Sequence, residues 1–176
     1  REAASSRQGL LEQSMSRTSR VRRLSLEQAA YLGGIIDGEG TVTLTRVHAN
    51  ESRRLVVSIA NTELELLQHV HEVIGAGKIT RKRVTSVRHS ASYHYFISCA
   101  QALTLLEQVA PYLRTYKRDR AHLALLHYRA LTPRNGRYSP ELRLARLRFE
   151  SAFLATLPKD SARNGWRLPV SEDRAN

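Results

Sequence analysis

Only one cysteine, Cys99, occurs in 176 residues, which excludes an internal disulfide framework and any multi-cysteine zinc site. By itself Cys99 reads as a small buried hydrophobe. The seven histidines show no H-E-x-x-H spacing, and His69 and His71 point to different faces of a helix, so they read as structural or surface residues. Long apolar runs and strongly amphipathic basic helices are missing too, which removes a membrane from the expected partners. The most informative gap is in charge of one sign. No acid stands between Glu72 and Glu107, while Lys78, Arg81, Lys82, Arg83 and Arg88 all fall inside that interval. A merely solvated face normally mixes both signs. With 28 basic residues against 16 acidic ones and a formal charge of +12, the chain carries the electrostatic footprint of a polyphosphate binder, and nucleic acid is the expected partner.

What is present organises into one domain, for which 176 residues leave room together with a tail at either end. Residues 1–24, rich in Arg and Ser with little apolar periodicity, read as a basic flexible arm or a transit-like leader, the second weakened by Glu2 and Glu12. The domain is expected over residues 25–157, with a tail over 158–176. Ser25 and Gln28 make a capping box that opens a helix running to about Asp37, where Gly38 and Gly40 break the period. Strands follow over 41–45 and 54–59 by their alternation. A second capping box, Thr62 with Glu65, opens a helix through Leu64, Leu67, Val70 and Ile74 that stops at Gly75. Strands over 78–84 and 93–98 flank a Ser-rich loop, and a third box, Ser98 with Gln101, opens a helix ending before Pro111. Further helices are expected over 115–131 and, from Ser139 and Pro140, to about Pro158. The order α-β-β-α-β-β-α with two more helices predicts an α+β fold, a four-stranded antiparallel sheet with its helices packed on one face.

The stretch Leu32-Gly33-Gly34-Ile35-Ile36-Asp37-Gly38-Glu39-Gly40 carries the chemistry. Gly33 and Gly34 let this helix approach another backbone closely, and Ile35 and Ile36 supply apolar packing around the contact. The helix ends in two acids flanked by glycine, at a chain reversal where the Glu39 carboxylate and neighbouring carbonyls, Gly38 among them, converge as hard oxygen donors suited to Mg²⁺. The bland reading is a helix terminus leading into a hairpin, with Asp37 a local cap.

Allowing Gly for Ala and Glu for Asp, these residues resemble the signature of the LAGLIDADG homing endonucleases at every position. Tyr31 before them and Thr41-Val42-Thr43 after them are similar to that family as well, and the likeness extends over roughly residues 25–130. The resemblance implies a DNA endonuclease that uses Mg²⁺ or another divalent cation, with Glu39 as catalytic carboxylate and metal ligand. Only one copy of the signature occurs, and single-copy members pair through it. A homodimer is therefore implied, with Gly33, Gly34, Ile36 and Asp37 at its interface and two Glu39 carboxylates side by side on the dyad, their repulsion relieved by metal.

Further site residues follow. The resemblance places a catalytic lysine near the start of the helix that Lys117 opens, where it would stabilise developing phosphorane charge or polarise the attacking water; a phosphate-anchoring surface lysine is the competing reading. Asn61 stands where many relatives carry a water-ordering glutamine, and reads equally as a helix-flanking turn residue. Strand parity turns Thr41, Thr43, Thr45, Arg54, Val56, Ser58, Lys78, Thr80, Lys82, His94 and Phe96 away from the helices, a ribbon suited to the major groove of double-stranded DNA. Arg81, Arg83, Arg88 and Arg118 read as phosphate grips. The function implied is cleavage of both strands of a long, near-palindromic duplex, leaving 3′-hydroxyl and 5′-phosphate ends. The alternative is a non-cleaving, RNA-binding intron maturase of the same family.

Overall fold

The structure is a computed structural model that describes residues 20–46, 48, 51–82, 91–133 and 136–158. Helix α1 (Leu26–Glu39) begins at the expected capping box: Ser25 accepts from the Gln28 amide, and the Gln28 side chain accepts from the Ser25 amide. Strands β1 (Gly40–Thr45) and β2 (Arg54–Asn61), helix α2 (Leu64–Ile74), strands β3 (Lys78–Arg81) and β4 (Tyr93–Ser98) and helix α3 (Cys99–Val109) follow. A 3-10 turn over Ala110–Tyr112 leads to α4 (Tyr116–His127) and α5 (Pro140–Ala155). The predicted order therefore holds. The strands form one antiparallel sheet in the order β1-β2-β4-β3.

Local signals differ from expectation at three helix starts or ends. Ser98 precedes α3 without a side-chain cap. Glu63, not Thr62, is the N-cap of α2 and also lacks one; Asn61 Oδ1 instead accepts from the Glu63 amide at 2.9 Å, closing the strand-to-helix corner one residue earlier. Helix α4 stops at His127 and gives way to turns through Leu131. Cys99, expected buried, is exposed and has φ +54°, because it makes the sharp corner from β4 into α3. The end of α2 follows the rule: Gly75 takes φ +73° and its amide donates to the His71 carbonyl.

One face of the sheet holds the core. Val42, Leu44, Leu55, Val57, Ile59, Tyr95 and Ile97 point inward and are almost fully buried beneath Leu32 and Ile36 of α1, Leu67, Val70 and Ile74 of α2, and Leu105, Leu106 and Val109 of α3. At the free edge, the Val42 carbonyl accepts from Arg120 Nη1 at 3.0 Å and the Leu44 carbonyl from Arg53 Nη1 at 3.5 Å. This occupies carbonyls that would otherwise template another strand. Arg120 also donates to the Thr156 carbonyl after α5, at 3.0 Å. Nearby, buried Arg146 bonds Glu150 at 3.0 Å, Thr132 Oγ1 at 2.7 Å and the Arg53 carbonyl, so its charge enters the interior already satisfied.

The chain is anchored ahead of Ser25. The Arg22 amide donates to the Ile74 carbonyl at 2.8 Å, and the Leu24 amide to Gln108 Oε1 at 2.8 Å.

Candidate nucleic-acid interface and catalytic centre

The register builds the outer face of the sheet row by row. Thr41 pairs with Ser58, Ser58 with Phe96, and Phe96 with Lys78. Thr43 pairs with Val56 and Thr45 with Arg54, while His94 pairs with Thr80. All of these side chains are half-buried or exposed, on the side opposite the core. Alternation survives through β4 without a bulge. His94 and Phe96 stack with ring centroids 5.8 Å apart. Burial and the nearby Lys82 charge hold the His94 imidazole below its ordinary pKa, which favours the neutral ring. Lys82 continues the ladder, its amide donating to the Ser92 carbonyl at 2.8 Å. Arg81 pairs with Tyr93, so it alternates to the helix side of edge strand β3, yet it is exposed. Arg83 and Arg88, and the part of the expected third strand beyond Lys82, lie outside the described residues.

At one end of this face α1 turns into β1. Gly40 makes the turn possible: a Cβ there would stand 2.7 Å from Ile36 Cα and 2.8 Å from its carbonyl oxygen. Glu39, the last helical residue, is exposed, and so is Gly38, which has nothing among the described residues within 4 Å of where a Cβ would be. Lys117 reaches the same helix end from α4. Its Nζ donates to the carbonyls of Ile36 and Asp37, each at 2.9 Å, and the residue is only 7% exposed. Burial pushes its ammonium pKa down, opposed by the charges of Asp37 and Glu39. An ammonium at a helix C-terminus meets the negative end of the macrodipole, where the carbonyls of the last turn point outward. Lys117, Gly38 and Glu39 are thus brought together. Asn61, at the neighbouring end of β2, takes the turn role described above. Arg118 is exposed one residue past Lys117.

The four residues expected at an interface between copies separate into two kinds. Gly33 is buried, and a Cβ on it would lie 2.8 Å from Tyr112 Cβ of the same chain. Ile36 is fully buried in the core. For these two the expectation is corrected: the close approach and the apolar contact are made inside the protomer, because α1 lies directly on the sheet and the 3-10 turn. Gly34 is different, being exposed, with nothing among the described residues within 4 Å of its would-be Cβ. It shares the outer side of α1 with exposed Ala30 and with Tyr31, 46% exposed and edge-on to His69. Asp37 is half-buried and occupied: its carboxylate accepts from the Arg114 amide at 2.6 Å and from the Thr115 hydroxyl at 2.6 Å. Thr115 was missed by sequence reasoning, although a threonine just ahead of a helix is a legible N-cap; its hydroxyl also accepts from the Lys117 amide.

The donor set fits a hard cation in a limited way. One exposed carboxylate, Glu39, stands beside backbone carbonyls with open space over Gly38, and among the described residues no group of three or more His, Cys, Asp or Glu is assembled to hold a metal. That is the sparse protein contribution typical of Mg²⁺ sites completed by water and phosphate. Among the described residues no helix is long and apolar enough to cross a membrane.

No curated protein matches the sequence. Solved structures do match the fold. The homing endonuclease I-CvuI, in complex with its target, superposes with a TM-score of 0.61 at 19% identity, covering 75% of this chain and 83% of that one. The archaeal intron-encoded homing endonuclease I-Vdi141I, complexed with DNA, gives 0.52 at 14% identity over 76% and 86%. The LAGLIDADG meganuclease I-AabMI, bound to uncleaved DNA, gives 0.53 at 20% identity over 70% of this chain and 44% of that one. The sequence model of the LAGLIDADG-like domain matches residues 26–119, a span that opens at the first residue of α1 and includes β1 to β4, the Glu39 turn and Lys117. On that match, over more than half of its length, the chain belongs to the LAGLIDADG-like domain family.

Proposed function

We propose that the chain is a site-specific DNA endonuclease of the homing type, acting as a homodimer and hydrolysing one phosphodiester in each strand with divalent-metal assistance. The observation that carries this reading is placement. The polar face of the four strands is left open on the side away from the core, and the exposed Glu39 carboxylate stands at its end. Similar folds are seen on DNA targets. Arg54, Lys78 and Lys82 provide charge along the face, while Thr41, Thr43, Ser58 and Thr80 offer hydroxyls that donate or accept at base edges.

Glu39 and the Gly38 carbonyl are the groups that would hold the cation, which when bound supplies an activated water and stabilisation of the leaving oxygen. Lys117 spends two of its three donors on the end of α1 and retains one for a phosphate oxygen or water. The case for a homodimer rests on Gly34. A glycine inside an exposed helix costs up to about 1 kcal/mol against alanine, and among the described residues no neighbour demands it. Close packing of a second α1 supplies the missing reason, and it would set two Glu39 carboxylates on one dyad, one for each strand.

The test is cleavage of a randomised duplex library by the purified chain in Mg²⁺, with Ca²⁺ as the binding-only control. Double-strand breaks with 3′-hydroxyl ends at a recurrent near-palindromic sequence are expected. Retention of structured RNA with no duplex cut in Mg²⁺ or Mn²⁺ would replace this reading with the maturase one.

A further inference from the structure

The end of α1 and the start of α4 exchange hydrogen bonds in both directions. From α1, the Asp37 carboxylate accepts from the Arg114 amide at 2.6 Å, the Thr115 amide at 3.4 Å and the Thr115 hydroxyl at 2.6 Å. From α4, the Lys117 ammonium returns two bonds to the carbonyls of Ile36 and Asp37. Each charge lies at the helix end whose dipole attracts it: the carboxylate on the amides of Arg114 and Thr115 at the opening of α4, the ammonium on two of the last carbonyls of α1. Both sets are charge-assisted, the stronger kind of hydrogen bond.

Only Gly38 separates this clamp from Glu39. On its far side the Gly40 amide donates to the Ile36 carbonyl and Gly40 enters the sheet opposite Ile59. The Glu39 side chain is exposed. Its position therefore comes from the backbone on either side, and Gly38 is the most permissive residue type that the backbone can carry. With three donors already on its carboxylate, Asp37 is poorly placed to ligate a cation or to meet another protomer.

We propose that Asp37 is a positioning residue: by gripping Arg114 and Thr115 it sets where the Glu39 carboxylate and the Gly38 carbonyl stand, and it keeps Lys117 at the same helix end. The proposal rests on the endonuclease reading above. It assigns Asp37 no contact with substrate or metal.

The experiment compares Asp37→Ala, Asp37→Asn and Thr115→Val with wild type, using a duplex selected by the wild-type protein. At saturating DNA, Asp37→Ala is expected to slow single-turnover cleavage in Mg²⁺ by on the order of a hundredfold, the scale of a small misplacement of a reacting group. Affinity for the same duplex in Ca²⁺ is expected to stay unchanged. Asn retains one acceptor oxygen and should restore part of the rate. Thr115→Val, which removes a donor instead of the acceptor, should also slow cleavage, and combining it with Asp37→Ala should add little, since both break one contact. Amide exchange gives a readout independent of activity: Glu39, Gly40, Arg114 and Thr115 should exchange faster in Asp37→Ala while β2 and β4 keep their protection. If the alanine variant does not fold, Asp37→Asn carries the same measurements. Wild-type cleavage by Asp37→Ala, or a loss of DNA affinity in step with rate, overturns the proposal. A wild type that cuts no duplex sinks the endonuclease reading instead; exchange then decides the clamp alone, and unaltered exchange at Glu39 and Gly40 overturns it.

Discussion

The glycines of α1 and its turn divide into two pairs. Gly33 and Gly40 are closed: an added Cβ would meet Tyr112 Cβ at 2.8 Å in one case and Ile36 Cα at 2.7 Å in the other. Gly34 and Gly38 are open, with nothing among the described residues within 4 Å. The first pair is explained by the protomer, which needs α1 pressed on the 3-10 turn and then folded sharply into β1. The second pair has no explanation among the described residues, and each open glycine lies where the proposed function puts an external group, a second α1 over Gly34 and a cation with phosphate beside Gly38. One helix thus packs the core with one side and presents the other to the groups of the proposed function.

Glu39 belongs to the open set, and its removal should show the largest effect. Glu39→Gln keeps size and shape but loses the charge that would hold the cation, so cleavage should fall by several orders of magnitude while affinity for the same duplex in Ca²⁺ persists. Gel-shift and single-turnover assays on one substrate make the separation, and wild-type cutting by this variant would remove Glu39 from the centre.

Gly34→Leu probes the outer side of α1. The leucine has free space in the isolated protomer, so circular dichroism and the melting transition of the protomer should hold. Self-association, read by sedimentation at several concentrations, should weaken by at least about tenfold, or about 1.4 kcal/mol. A dimer of undiminished affinity would place the contact elsewhere.

Gly33→Ala probes the inner side and is expected to be the mildest. Alanine gains up to about 1 kcal/mol of helix propensity, but its methyl strikes an atom rigidly attached to the Tyr112 backbone, and overpacking of this kind costs about 1–3 kcal/mol. A net loss of about 0–2 kcal/mol in urea denaturation follows from those two terms, with self-association unchanged. Stabilisation by Gly33→Ala would mean that the turn over Ala110–Tyr112 yields freely, and the two sides of α1 would then be less distinct than the geometry implies.

Much of this architecture was legible because its determinants are local. Period-two alternation in β1, β2 and β4 assigns every outward residue to the correct face, since a strand cannot change face without a bulge. The capping box at Ser25 and the glycine stop at Gly75 depend on residues within one turn, and the motif from Leu32 to Gly40 marked the family and the helix-to-strand turn by residue type alone. Other assignments were not available at that range. Nothing in the spacing of Gly33 and Gly34 says which faces Tyr112, a residue far along the chain. Nothing around Lys117 says that its ammonium is buried on the carbonyls of Ile36 and Asp37, or that Asp37 is taken up by Arg114 and Thr115. Asn61 and Cys99 likewise took their roles from the corners in which the packed helices left them. Sequence by itself determined the elements, the faces of the sheet and the acid at its end, because those follow from bonds and periodicities between near neighbours. Tertiary structure alone decided which side of α1 is used up within the protomer and how the end of that helix is held, because both depend on contacts that form only when α1 and α4, about 80 residues apart in the chain, are brought together on one sheet.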